Sequence, residues 1–148
     1  MLRTGDQYRD SLCDGREVWV DGKKVEDVTS HPVFKPIVDI RARIYDMAHE
    51  EKFKEQLTYI DETSGEKNCI GSKLPKTKSD WLSKRQAIKT IMYEIGAVVT
   101  RVGDETVGEM WSLYDGTDIL NEVDPRFGDN IFNHIQKVLK SDTFHVSA

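Results

Sequence analysis

The residues able to do chemistry are scattered along this chain and are not gathered into short motifs. Cys13 and Cys69 are its only thiols, and with no Cys-x-x-Cys pair and no metal-ligand spacing they read as two reduced thiols, with no metal site expected. Glu94 and Glu109 are of the type that serves as a paired acid and base, but they fall on different predicted helices, and solvated helix faces account for them. Asp115-Gly116-Thr117-Asp118 lacks the alternating acidic ligands of a calcium loop. Gly-x-Gly-x-x-Gly, phosphate-loop, Gly-x-Ser-x-Gly and His-Glu-x-x-His patterns are all missing. Lys73, Lys76, Lys78, Lys84, Arg85 and Lys89 form a locally basic run that reads as a solvated loop and helix face. Trp111 and Tyr114 read as core, and His31, in Thr29-Ser30-His31-Pro32, as part of a turn without catalytic duty.

The elements that must position these side chains are mostly helical. Thr4 with Gln7 is a capping-box pattern that opens a helix over 4–14, closed by Gly15. Glu17-Val18-Trp19-Val20 and Lys23-Lys24-Val25-Glu26 flank Asp21-Gly22, a dipeptide suited to a two-residue hairpin turn. Ile37, Ile40, Ala42, Ile44, Tyr45 and Ala48 recur at helical period up to His49, facing a core. Leu57–Ile60 and Asn68–Ile70 suggest a second small hairpin around Ser64-Gly65. Ser79 is a candidate N-cap for the longest helix, with Leu82, Ile88, Ile91, Met92, Ile95 and Val99 on its stripe and an end near Thr100. Val107, Met110, Trp111 and Tyr114 mark another helix, broken by Gly116. Asp124-Pro125 starts the last one, with Phe127, Ile131, Ile135, Val138 and Leu139 inward and an end near Ser141. Phe144-His145-Val146 reads as the beginning of a strand.

At 148 residues the chain is expected to be one domain with its own core, needing no disulfide. The first twenty residues are too charged for a secretory leader, and nowhere do eighteen apolar residues run together, so the expected location is cytoplasmic. A formal charge of −5 without a basic face disfavours nucleic acid as a partner.

Three blocks carry a resemblance. They are Arg3-Thr4-Gly5-Asp6-Gln7-Tyr8 with Ser11-Leu12, then Asp14-Gly15-Arg16-Glu17-Val18-Trp19-Val20, and then Thr29-Ser30-His31-Pro32. In order and spacing they resemble the amino terminus of the flavin-dependent 4-hydroxyphenylacetate 3-hydroxylase family, whose members are several times longer. The resemblance implies a fold that is mainly α with one or two small β-hairpins, the acyl-CoA-dehydrogenase-like amino-terminal helical domain, over residues 1–142. Residues 143–148 would begin a middle β domain. It also implies the oxygenase component of a two-component hydroxylase. Such an enzyme takes reduced FAD or FMN from a separate flavin reductase, uses molecular oxygen and hydroxylates a phenol ortho to its hydroxyl. The 148-residue chain would have little activity alone, and a homo-oligomer is expected at full length. The rival readings are a small subunit or non-catalytic binding module of a split flavoenzyme, and the acyl-CoA dehydratase and isomerase branch of the same family.

The resemblance singles out three side chains. An Arg closing the long helix lies, in phenol-hydroxylating members, near the flavin's reactive edge and the phenolic oxygen, and Thr100-Arg101-Val102-Gly103-Asp104 stands at that place. A guanidinium suits the task because it stays charged and offers several donors to a developing phenolate. The competing role for Arg101 is to balance a helix carboxyl end or to pair with Asp104. A His after the last helix hydrogen-bonds the substrate hydroxyl in those members, and His145 stands there, of a type that shares a proton near neutral pH. A Tyr four residues after the Arg is replaced by Glu105, and the usual Pro of that turn by Gly103. Glu105 as a substrate-facing carboxylate would repel an acidic phenol or reach a basic one.

Overall fold

The computed structural model describes residues 2–97 and 104–143, without the side chains of 104–107. Helix α1 (Gly5–Asp10) forms because Thr4 Oγ1 accepts the Gln7 N–H (3.2 Å) while Gln7 Oε1 accepts the Thr4 N–H (2.9 Å), the reciprocal cap written in the sequence. It stops earlier than residue 14, because Ser11 turns its hydroxyl back onto the Tyr8 carbonyl (2.7 Å). Strands β1 (Val18–Val20) and β2 (Lys23–Val25) pair antiparallel in the register Trp19↔Lys24. Asp21 (φ 49°) and Gly22 (φ 75°) take the two left-handed turn positions.

Helix α2 (Lys35–Met47) runs through the middle of the molecule and buries both of its long sides. Val38, Ala42 and Tyr45 are buried along it, and α1 packs on this helix. Ile44 and Met47 enter the main core with Phe53, Leu57, Ile70, Ala87 and Ile91. The approach of α1 requires Gly5: a Cβ there would sit 2.5 Å from Asp46 Oδ2 and 2.8 Å from the Ala42 carbonyl. Gly5→Ala should therefore cost about 1–3 kcal/mol, as overpacked sites do, and urea unfolding should show the loss as a lower midpoint at unchanged slope.

Helix α3 (Lys54–Leu57) leads into β3 (Thr58–Ile60), which pairs antiparallel with β4 (Lys67–Cys69) through Tyr59↔Asn68. A short 3-10 turn (Ile70–Ser72) follows, then helices α4 (Lys78–Glu94), α5 (Asp104–Asp115), α6 (Thr117–Val123) and α7 (Arg126–Ser141). Met110 of α5 and Ile135 and Val138 of α7 make a second apolar cluster, flanked by Trp111, Ile131 and Leu139. The mainly helical architecture with two small hairpins is the one expected from the sequence.

Several readings need correction. The N-cap of α4 is Thr77, not Ser79: Thr77 Oγ1 accepts the Asp80 N–H while Asp80 Oδ2 accepts the Thr77 N–H (2.8 Å). The helix ends at Glu94, not near Thr100, because Gly96 turns left-handed (φ 67°) and the Ala97 N–H closes on the Met92 carbonyl (2.8 Å), a Schellman stop. Its buried line is Lys84, Ala87 and Ile91, so Leu82, about 200° around the helix from Lys84, is 55% exposed. Lys84 is therefore no part of a solvated face; its Nζ donates to the Gly71 (2.7 Å) and Lys73 (2.8 Å) carbonyls and pins the loop after β4 to α4. Finally, Phe127, Tyr114 and, on α2, Ile37, all read as inward, are exposed.

Candidate functional site

Two chain exits matter for the chemistry expected of this sequence, that of α4 before position 101 and that of α7 before position 145. Arg101 and His145 themselves lie outside the described residues, and Glu105 belongs to α5 with its side chain likewise outside them. The described residues do show what holds both exits, and α2 contributes to both holds.

At the α4 exit, the Arg43 guanidinium reaches Glu94, the last residue of the helix, with Nη2–Oε1 at 2.6 Å. It also pairs with Glu50, just past α2. These two carboxylates hold Arg43 still further above its ordinary range, and Arg43 in turn lowers Glu50. A planar fork between two acids from different elements fixes direction as well as distance.

The α7 exit is held from two sides. Asp142 caps the helix in the left-handed region (φ 46°), which its short polar side chain tolerates. Tyr45 Oη donates to its carbonyl (2.8 Å), and the Arg3 backbone N–H donates to its Oδ2 (2.9 Å). Arg3 is itself fixed. Its carbonyl accepts from His49 Nε2 (2.9 Å), and its guanidinium lies 5.8 Å from the Tyr8 ring centroid and 5.3 Å from that of Tyr45. Asp46 completes the set by accepting the Gly5 N–H (2.7 Å). The Arg3-Thr4-Gly5-x-x-Tyr8 block is thus the strap that ties the start of the chain to the end of α7.

Burial pushes the Asp142 carboxyl above its ordinary value, against the lowering pull of the Arg3 N–H and nearby positive charge. A group raised on folding stabilises the fold below its unfolded pKa and loses that contribution as pH rises through the folded value. Asp142→Asn, which keeps an acceptor for Arg3, should therefore become progressively more stable relative to the parent as pH rises from about 4. Paired thermal melts across the acid range would check this; a constant difference would contradict it.

Cys69 is close to the same region, and burial pushes its thiol up to about 11, so it is not a nucleophile at neutral pH. Tyr114, Asp115, Thr117, Asp118, Asn121, Gly128, Asp129 and Phe132 line an open cavity of about 520 Å³ between α5, α6 and α7. Among the described residues no group of His, Cys, Asp and Glu side chains is placed to hold a metal ion, and no helix is long and apolar enough to cross a membrane.

Residues 4–148 match the family described as 4-hydroxyphenylacetate 3-hydroxylase N terminal. This chain belongs to that family. The 4-hydroxyphenylacetate 3-monooxygenase oxygenase component of Thermus thermophilus is 32% identical over 143 residues, covering 96% of this chain and 28% of that protein. An FADH(2)-dependent monooxygenase of Burkholderia cepacia is 35% identical over 96 residues, covering 65% of this chain and 18% of its own length. Among solved structures, an oxygenase component of 4-hydroxyphenylacetate 3-monooxygenase complexed with FAD and 4-hydroxyphenylacetate superposes with a TM-score of 0.82 at 31% identity, over 95% of this chain and 28% of that one. A 4-hydroxybutyryl-CoA dehydratase from N. maritimus shares the fold at a TM-score of 0.81 and 19% identity. The chain spans 28% of the length of the Thermus relative.

The cavity between α5, α6 and α7 is not the place for the family's flavin. It presents Asp115, Asp118 and Asp129, which repel the pyrophosphate of FAD. Sequence reasoning pointed to the segments after α4 and α7, but missed Tyr45, Asp142 and Arg43 as their holders. The one available signal was Arg3-Thr4-Gly5-x-x-Tyr8, whose spacing marks the family without revealing what it touches.

Proposed function

We propose that this chain is the amino-terminal helical domain, residues 1–142, of the oxygenase component of a reduced-flavin-dependent phenol ortho-hydroxylase, with 143–148 entering a middle β domain. The observation that carries the reading is the superposition, over 95% of the chain, on an oxygenase component whose structure contains FAD and 4-hydroxyphenylacetate. In the whole enzyme, reduced FAD or FMN from a separate reductase, held mainly by parts of the protein outside this segment, would activate molecular oxygen. A cytoplasmic homo-oligomer is the expected setting, and exposed Ile119, Val123 and Phe127 offer apolar surface for burial against further protein.

This segment's contribution is to the substrate. Arg101 steadies negative charge on the phenolic oxygen, and His145 takes or shares the phenolic proton, which raises electron density at the ortho carbon. Glu105 selects among phenols, because a carboxylate beside the ring's side chain disfavours an acidic substituent and favours a basic one. The full-length protein with reduced FAD should therefore turn over a phenol bearing a neutral or amino side chain with higher kcat/KM than 4-hydroxyphenylacetate. Glu105→Gln should narrow that ratio by about tenfold, the equivalent of about 1.4 kcal/mol. An unchanged ratio would remove Glu105 from the site, and an absence of catechol from every phenol would remove the hydroxylase reading.

A further inference from the structure

We propose that Tyr45 is a positioning residue, its hydroxyl clamping the exit of α7 so that the chain leaves Asp142 in the direction that delivers His145; this rests on the hydroxylase reading given above. Tyr45 and Asp142 are 97 residues apart in sequence, yet the Tyr45 hydroxyl meets the Asp142 carbonyl at 2.8 Å. Tyr45 is buried, 6% exposed, and its ring packs against Tyr8 with centroids 5.3 Å apart, so the hydroxyl has little freedom to point elsewhere.

Asp142 is the residue where direction is decided. It ends a sixteen-residue helix in a left-handed conformation that only a few non-glycine residues adopt, so its orientation depends on outside contacts. Two contacts with the described residues supply them, the Tyr45 hydroxyl on the carbonyl and the Arg3 N–H on the carboxylate. The first fixes the peptide plane that leads to Thr143, two residues before His145. The second ties the same residue to the amino-terminal strap. A small rotation at this plane would swing any side chain a few residues downstream by ångströms, and misplacement on that scale costs orders of magnitude in a positioned reaction.

Tyr45→Phe in the full-length protein removes one oxygen atom and leaves the ring packing in place. Hydrogen exchange should speed about tenfold for the amides of Val138–Asp142 while those of Ala87–Ile91 in α4 stay near the parental rate, a split that general destabilisation would not produce. With reduced FAD and a phenol, the yield of catechol per flavin oxidised should fall about tenfold, with flavin affinity retained and KM for the phenol changed less than kcat. Parental exchange in the variant, or faster exchange with an undiminished catechol yield, would overturn the positioning role. Faster exchange in a protein whose parent makes no catechol would sink the hydroxylase reading and the catalytic part of this proposal with it, leaving only the clamp.

Discussion

Arg101→Ala in the full-length protein should lower kcat/KM for phenol hydroxylation by about a hundredfold, the equivalent of about 2.7 kcal/mol, while flavin binding stays near the parental value. The magnitude follows from the role. A guanidinium aimed at an oxygen that gains charge in the transition state contributes more there than in the ground state, and only that difference enters the rate. Lys in its place should recover part of the loss, since it restores charge without the fork. His145→Ala should cost about tenfold or more and should also remove one limb of the pH–rate profile, because the group that shares the phenolic proton is gone. If neither substitution lowers kcat/KM by more than about tenfold, the assignment of both residues to the site is wrong.

The largest expected loss of stability is at Met47. Its side chain is wholly enclosed, 0% exposed, at the end of α2, among Ile44, Phe53, Leu57, Ile70, Ala87 and Ile91. Met47→Ala should cost about 2–5 kcal/mol through lost burial and a residual cavity. In a chain of this length that corresponds to a fall in Tm of about 10 °C, readable by differential scanning calorimetry. The same cluster sets the position of α2, so a catalytically competent variant with an unshifted Tm would mean that α2 does not organise the exits of α4 and α7. Lys84 is its polar counterpart. It holds the loop after β4 by two carbonyls, so the charge is buried with partners.

What could be read from the sequence was local. Thr4 with Gln7 and Asp21-Gly22 encode their caps and turns within four residues, and each formed as expected. The apolar periodicity of α2 found Ala42, Ile44 and Tyr45, because both flanks of that helix are covered. Periodicity misled where a helix has one covered face and apolar residues on the other. Leu82 looked like core beside Ile88, yet the core-facing slot belongs to Lys84, whose long stem lies in the interior while its ammonium meets carbonyls from a distant loop. The stripe through Ile95 and Val99 runs past Gly96, although a single left-handed glycine ends a helix regardless of the stripe around it. The holders of the candidate site were illegible for a different reason. Tyr45 and Asp142, or Arg43 and Glu94, meet only after the chain has folded, and nothing local distinguishes such a Tyr from a core aromatic or such an Asp from a surface acid. Arg101 and His145 came from the resemblance alone.

The most direct measurement is catechol formation by the full-length protein supplied with reduced FAD and a panel of phenols under isotopically heavy dioxygen. The expected result is an ortho-hydroxylated product carrying a single heavy oxygen atom, formed only when flavin, phenol and oxygen are all present. No product from any phenol, or a product whose new oxygen comes from water, would contradict the assignment of this domain to a flavin-dependent phenol hydroxylase.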